Sequence, residues 1–365
     1  MPAAAPPAPP NPAKVGILLV NTGTPDSPST ADVRRYLRQF LGDPRVLDMP
    51  ALARWLLLEL IILPSRPAKS AHAYRAIWTE QGSPLRLHGH NLAQLLENEL
   101  DGRAAVRLAF QYGNPSIPSA MDELATQGID QLVAVPLFPH YAAASFGSAA
   151  AAVMAAASER WVVPCVHVVP PFWHEPEFLD AVAQGARAQI AEFRPDHVLL
   201  SYHGVPERHC TRTDTQGETC HKRAGCCDSL GLANRNCYRA QCFATSRALI
   251  DQLGLDPAQV TTAFQSRLGK VPWIRPYADE KVLELARRGV KKLLVLEPSF
   301  VADCLETLEE IGIRAKADFE GAGGSELRLV PSLNSSNLWV RGLAQIVRTS
   351  AAGWLPATTK PTFLS

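Results

Sequence analysis

The sequence lacks an excess of charge of either sign: 36 lysines and arginines stand against 35 aspartates and glutamates, a formal net charge of +1. With no lysine- or arginine-rich block either, nothing points to a nucleic-acid partner. It also lacks any apolar run of roughly 20 residues, the length a helix needs to cross a bilayer. The longest such run, Ala51 to Pro64, is too short. No GxGxxG or GxxxxGK[ST] loop follows an apolar run, so nucleotide binding loses its main support. The first 14 residues, MPAAAPPAPPNPAK, have neither the basic start nor the apolar core of a signal peptide. They read as a disordered tail, export is not expected, and the expected compartment is the cytoplasm.

What is present is a globular composition, 47% hydrophobic and 19% charged over 365 residues, too long for one ordinary core and suited to two domains. Short apolar runs recur: Val15 to Val20, Ala105 to Phe110, Leu132 to Leu137, Val162 to Val169, then Val198 to Leu200, Val260 to Phe264, Leu293 to Leu296 and Leu327 to Val330. Amphipathic stretches such as Leu92 to Leu100 and Glu175 to Phe193 separate them. Strand and helix alternating in this way predict right-handed βαβ units. Four runs and four runs predict an α/β chain of two similar doubly wound domains, each a four-stranded parallel sheet flanked by helices. The boundaries expected are 15–172 and 173–334, with a last helix at about 335–350 returning to the first domain.

In open α/β sheets, ligands and catalytic groups collect at the carboxyl ends of strands. His203 stands where the run Val198 to Leu200 stops, before Gly204 and Pro206. A hydrogen-bonded turn histidine and a catalytic base are both open readings. Other strand ends carry Asn21-Thr22-Gly23-Thr24-Pro25, Gln111-Tyr112, Pro139-His140-Tyr141 and Phe172-Trp173-His174. Their recurrence suggests a cleft between the domains lined by aromatic and imidazole groups. After Leu296, a helix over residues 301–310 would place Asp303, Glu306 and Glu310 on one side, with Leu305 and Leu308 opposite. That face reads either as solvated or as a ladder of carboxylates passing protons or a hard cation. The Ala51 to Pro64 run reads as a buried helix, with an exposed lip for a flat apolar ligand or a membrane surface as the alternative.

Six of the eight cysteines lie between Cys210 and Cys242. A non-exported chain of this size has no need of disulfides, so the cluster points to zinc or iron–sulfur ligation. The spacing contains no CxxC pair, and no standard finger or ferredoxin pattern fits.

Taken together, Gly16-Ile17-Leu18-Leu19-Val20-Asn21-Thr22-Gly23-Thr24-Pro25, Gly82-Ser83-Pro84-Leu85, Pro136 to Tyr141, Ser201-Tyr202-His203-Gly204-Val205-Pro206, Phe264 to Gly269 with Pro272-Trp273, and Asp303-Cys304-Leu305-Glu306-Thr307-Leu308 occur in an order that resembles the bacterial ferrochelatases. The resemblance runs from Gly16 to about Val347. It implies two Rossmann-like domains around a porphyrin cleft, and insertion of ferrous iron into protoporphyrin IX as the last step of haem biosynthesis. By this resemblance His203 matches the catalytic histidine and Glu306 the glutamate opposite it, both also candidate ligands of the iron substrate. Glu310 matches a further acid. Tyr112 and Trp273 match porphyrin-contacting positions, Thr22 joins them as a substrate-binding candidate, and Trp55 to Leu63 takes the place of the apolar lip.

The resemblance has two departures. Cys304 stands where many relatives have histidine, and no cysteine beyond it matches the C-terminal cluster ligands of the animal enzymes. The insert 209–242 instead resembles an internal cysteine set of some bacterial members. It implies a [2Fe–2S] cluster on Cys210, Cys220, Cys227 and Cys237, with Cys242 ranked below them. Expected partners are porphyrin and ferrous iron, with peripheral membrane contact through the lip and contact with neighbouring haem-pathway enzymes as further possibilities. A cobalt chelatase, a non-catalytic porphyrin or metal carrier and a cluster-based redox sensor are the competing readings.

Overall fold

A computed structural model describes residues 15–269 and 271–355. The expected tail over residues 1–14 lies outside them. All eight apolar runs form strands: β1 Val15–Thr24, β2 Ala104–Gly113, β3 Gln131–Pro136, β4 Cys165–Val168, β5 His197–His203, β6 Val260–Gln265, β7 Lys292–Leu296 and β8 Glu326–Leu329. They build two four-stranded sheets, ordered β2-β1-β3-β4 and β6-β5-β7-β8, and every pairing is parallel.

The central strands are apolar on both faces because helices cover both faces. Ile17, Leu18, Leu19 and Val20 of β1 are completely buried, as are Leu199, Leu200 and Tyr202 of β5. Each such side chain contributes about 1.5–3 kcal/mol by leaving water. On one face of the first sheet, Ile17 and Leu19 pack with Trp339, Leu343 and Val347 of the last helix, Asn337–Ser350. Val301, Ala302 and Cys304, which follow β7, join that cluster. The last helix thus helps to join the two halves.

Two segments depart from what local pattern alone predicts. Ala51 to Pro64 is not a buried helix: an α-helical turn Ala51–Leu57, a π-helical stretch Leu58–Ile62 and the helix Leu63–Ile77 follow one another. Leu52, Trp55, Leu60 and Ile61 stand 56–69% exposed along it. Residues 301–310 are not one α-helix either. Asp303 precedes the helical segment, which is π-helical from Glu306 to Ala315. Glu306 and Glu310 remain about one turn apart, whereas Asp303 turns to bind the backbone N–H of Ser332 and the Asn334 amide.

Candidate active site

His203 ends β5, beside Gln265 at the end of β6. Its backbone N–H donates to the Ser299 hydroxyl at 3.1 Å, and its Nδ1 lies 2.6 Å from the carbonyl oxygen of Gly204. A carbonyl only accepts, so Nδ1 carries a proton, which leaves Nε2 as the nitrogen that exchanges the second one. The rings of Phe300 and Trp273 stand 6.2 and 6.5 Å from the imidazole. The next residue must be glycine: a Cβ on Gly204 would lie 2.8 Å from the Gln265 carbonyl oxygen and 3.1 Å from the Trp273 ring. Trp273 is pinned in turn by its indole N–H, which donates to the Leu268 carbonyl at 2.8 Å.

The acids arrive on the π-helix. Gln265 sets its start, donating from Nε2 to the Glu306 carbonyl at 2.9 Å while its Oε1 accepts from the Ser201 hydroxyl. Glu310 accepts from the backbone N–H and hydroxyl of Ser266, at 2.9 and 2.6 Å. Burial nevertheless pushes its carboxyl above the usual range, and neighbouring Glu306 pushes the same way. Ser266 and nearby His203 oppose that rise. Ser266 makes these contacts from the left-handed region, φ +65°, a conformation that costs roughly 1 kcal/mol or more in a residue with a Cβ.

Glu306 also faces the first half of the chain. Tyr36, Tyr74 and Arg66 lie within its electrostatic reach, and burial drives both phenols well above their ordinary range. Leu305 and Leu308 pack against the core beneath the exposed apolar segment. The solvated reading of this acidic face is therefore overturned. The acids lie between the two halves because the π-helix docks on the helix Leu63–Ile77.

Tyr112 lies apart from the imidazole contacts just described. Its hydroxyl donates to Asp43 at 2.8 Å and its ring packs 5.4 Å from Phe40. Burial, then Asp43, raise its pKa. Gly23 makes the approach of β1 to Tyr112 possible, because a Cβ there would fall 1.9 Å from the Tyr112 carbonyl oxygen at φ +111°. Thr22 is half-buried, its backbone N–H taken by the Asn21 side chain at 2.8 Å. His140 is a buried core histidine, bonded to Thr245 at 3.0 Å and held neutral by burial, with a pKa near 3.

The insert brings Cys210, Cys220, Cys227 and Cys237 together, all 5% exposed or less. Cys237 is the hub, accepting from the other three thiols, which favours it as the thiolate of the set. Arg239 donates to the Cys227 sulfur at 3.1 Å. Cys226 is half-buried and 3.8 Å from Cys227 between sulfurs, and Cys242 is buried against Tyr238. The thiols touch one another, and among the described residues no group of three or more His, Cys, Asp or Glu is arranged to hold a metal ion. The four cysteines that the resemblance implies as cluster ligands are thus gathered at one place, thiol against thiol.

Sequence reasoning missed Ser299, Ser266 and Gln265, which position the histidine and the acids, as well as Arg66, Tyr36 and Tyr74 beside Glu306. Single polar or aromatic residues in loops and helices leave no periodic signal.

A model of the ferrochelatase family matches residues 14–351. The chain belongs to the ferrochelatase family. A ferrochelatase of Coxiella burnetii (strain CbuG_Q212) is 44% identical over 337 residues, 92% of this chain and 94% of that protein. One from Legionella pneumophila (strain Lens) is 44% identical over 91% of this chain and 98% of its own. One from Pseudomonas fluorescens (strain SBW25) is 45% identical over 90% and 95%. Among solved structures, SirB from Bacillus subtilis with Fe3+ is similar at a TM-score of 0.50 and 15% identity, covering 74% of this chain and 93% of that one. That likeness bears on the fold alone. Membership makes this protein a metal chelatase of haem biosynthesis that inserts ferrous iron into a porphyrin.

Proposed function

We propose that the reaction runs at His203 and Glu306, with protoporphyrin IX as the porphyrin. The observation that carries this is the Nδ1–H bond to Gly204, which leaves Nε2 to exchange the proton, with Glu310 within electrostatic reach of the imidazole and Glu306 one turn before it. Insertion breaks two pyrrole N–H bonds and turns four ring nitrogens toward one Fe2+. An imidazole takes up and gives away a proton at its second ring nitrogen, which suits the transfer. Glu306 and Glu310 are hard oxygen donors that hold Fe2+ while it sheds water. Trp273 and Phe300 flank the imidazole as flat apolar surfaces for the macrocycle, Tyr112 and Thr22 are the remaining substrate-binding proposals, and the exposed row from Leu52 to Ile61 is the lip by which porphyrin enters. That row also supports peripheral contact with lipid; no helix of the described residues is long and apolar enough to cross a membrane. Anaerobic turnover followed by loss of porphyrin fluorescence tests the assignment. It predicts activity in the wild type and a loss of at least about a hundredfold in folded His203→Ala. Porphyrin binding without insertion by the wild type would favour the carrier reading.

We further infer that Cys210, Cys220, Cys227 and Cys237 are the ligands of a [2Fe–2S] cluster. Four buried soft donors gathered at one place, with the Arg239 cation against one of them, fit the number and kind of ligand required. A cluster would replace thiol–thiol contacts with metal–sulfur bonds and cross-link the insert; iron insertion transfers no electrons. Iron and sulfide analysis with a visible spectrum of anaerobically purified protein tests this, and bound zinc would overturn it.

A further inference from the structure

Between the helix Thr30–Gly42 and the exposed apolar row, residues 43–50 form an irregular segment that is bonded at both ends. At its start, Asp43 accepts from the hydroxyls of Tyr112 and Ser148, and its carbonyl accepts from the backbone N–H groups of Val46 and Leu47 at 3.1 and 3.0 Å. Val46 and Leu47 pack against the core beneath the row. At its end, Arg54, from the first turn of the row, donates to the Met49 carbonyl at 3.0 Å. Between these anchors, Asp48 reaches across to the second half of the chain. Its carboxylate is buried there against Arg208, Arg212 and His209.

The arginines sit on the element that also carries His203 and the first cysteine. After His203 ends β5, the chain enters the helix Glu207–Thr211. On the way it is bonded to the Trp273 loop: the Val205 carbonyl accepts from the backbone N–H of Ile274 at 3.0 Å, and the Glu207 N–H donates to the Pro272 carbonyl at 3.0 Å. Arg208 and Cys210 share the helix, and Arg212 caps it. Cys210 is buried, its thiol donates to Cys237, and its carbonyl accepts from the Thr213 hydroxyl at 2.8 Å. A shift of the cysteine group therefore moves Arg208 and Arg212, and through Asp48 it moves the start of the apolar row.

We propose that Asp48 is a positioning residue for porphyrin: latched to Arg208 and Arg212, it fixes the apolar row relative to the element that carries His203, and the cysteine group holds the latch in place. The latch bears on binding because the row is where porphyrin enters, and it rests on that reading. The insert thereby acts on how porphyrin is received and not on the proton or metal chemistry. When the latch opens, the row occupies its receptive position a smaller fraction of the time, and the apparent dissociation constant rises by the inverse of that fraction. Arg208 and Arg212 are 39% and 65% exposed, so water solvates both once Asp48 is gone and the fold survives its loss.

The test measures protoporphyrin binding without iron, by equilibrium fluorescence titration, beside steady-state KM values for porphyrin and iron. It compares wild type, Asp48→Ala, Asp48→Glu, Cys237→Ser, the double variant Asp48→Ala/Cys237→Ser, and Leu60→Gln/Ile61→Gln, each at a temperature where circular dichroism shows it folded. Asp48→Ala is expected to weaken porphyrin binding about fivefold or more, to raise the KM for porphyrin by more than it lowers kcat, and to leave the KM for iron within about twofold. Glutamate restores part of the binding. Cys237→Ser weakens binding in the same sense, and the double variant binds no more weakly than the weaker of the two single variants, because both act through one latch. Wild-type binding by Asp48→Ala, with Leu60→Gln/Ile61→Gln weakened, overturns the latch alone. Wild-type binding by Cys237→Ser, or effects of Asp48→Ala and Cys237→Ser that multiply, overturns the part given to the cysteine group. Should Cys237→Ser fail to fold, Arg239→Gln, which removes the 3.1 Å bond to the Cys227 sulfur, takes its place in the cycle. Wild-type binding by Leu60→Gln/Ile61→Gln overturns the entry reading and the latch with it.

Discussion

Arg208 grips Asp48 across 160 residues of sequence, its Nε lying 2.9 and 2.8 Å from the two carboxylate oxygens. Arg212 adds a bond at 2.7 Å, and His209 approaches to 3.5 Å. Asp48 belongs to the segment leading into the exposed apolar row, where Arg54 binds the Leu47 and Met49 carbonyls. Arg208 lies within the short helix Glu207–Thr211 that carries Cys210, and Arg212 caps its end. One carboxylate thereby ties the entry side of the first half to the cysteine group of the second.

Asp48→Asn loosens this tie. The Asp48 side chain is only 7% exposed, but Arg208 is 39% and Arg212 65% exposed, so solvent screens much of the charge interaction. The expected loss is about 1–2 kcal/mol. Denaturant unfolding checks it.

The same pair sets an acid response. The Arg208 hydrogen bonds hold the Asp48 carboxyl down at about 2, against an ordinary 3.8. A folded-state pKa below the unfolded one stabilises the fold fully above the unfolded value, and that stability disappears as pH falls through the folded value. The contribution of Asp48 is therefore lost between about pH 4 and pH 2. Thermal melts across that range should show a shallower decline in Asp48→Asn than in wild type.

Gly204→Ala places a methyl against the Gln265 carbonyl and the Trp273 ring. Overpacking of this kind costs about 1–3 kcal/mol. Because the displaced groups flank His203, kcat falls further than the change in stability alone explains, a comparison made by measuring both at a temperature where the variant is folded.

Leu60 and Ile61 are 65% and 63% exposed. Replacing both with glutamine changes stability by no more than about 0.5 kcal/mol per site. If the row admits porphyrin, the KM for porphyrin rises while the KM for iron stays put, a split that steady-state kinetics resolves.

Cys237→Ser removes the hub of the thiol group, whereas Cys242→Ser removes a buried thiol beside it. Any chromophore held by the insert vanishes in the first variant and survives in the second. Visible spectra and iron content of the two, purified side by side without oxygen, decide this.

Much of the architecture was legible in the chain. Fully buried parallel strands must be apolar throughout, so Val15 to Val20 and Val198 to Leu200 announced themselves as strands. His203 could be placed at a strand end because a run that stops at glycine or proline marks where a strand stops, whereas Thr22, read as part of a turn, lies inside β1, which continues to Thr24. Local pattern misled where the environment was unknown. The same leucines and isoleucines between residues 52 and 61 suit a buried helix or an exposed rim, and only the packing of Leu58 and Leu63 beneath them shows which face was buried. The acids at 303, 306 and 310 were spaced as on an α-helix, and the π-helical winding from Glu306 removed Asp303 from that set.

By itself, then, the sequence determined the two parallel sheets, their helices and the strand-end position of His203, because those follow from local runs and breaks. Only the tertiary structure decided which protons and charges meet. The Nδ1 bond of His203 to Gly204, the Ser266 clasp on Glu310 and the Asp48–Arg208 tie all depend on loops and helix faces brought together by folding. No periodicity records such contacts, because each joins single residues far apart in the chain.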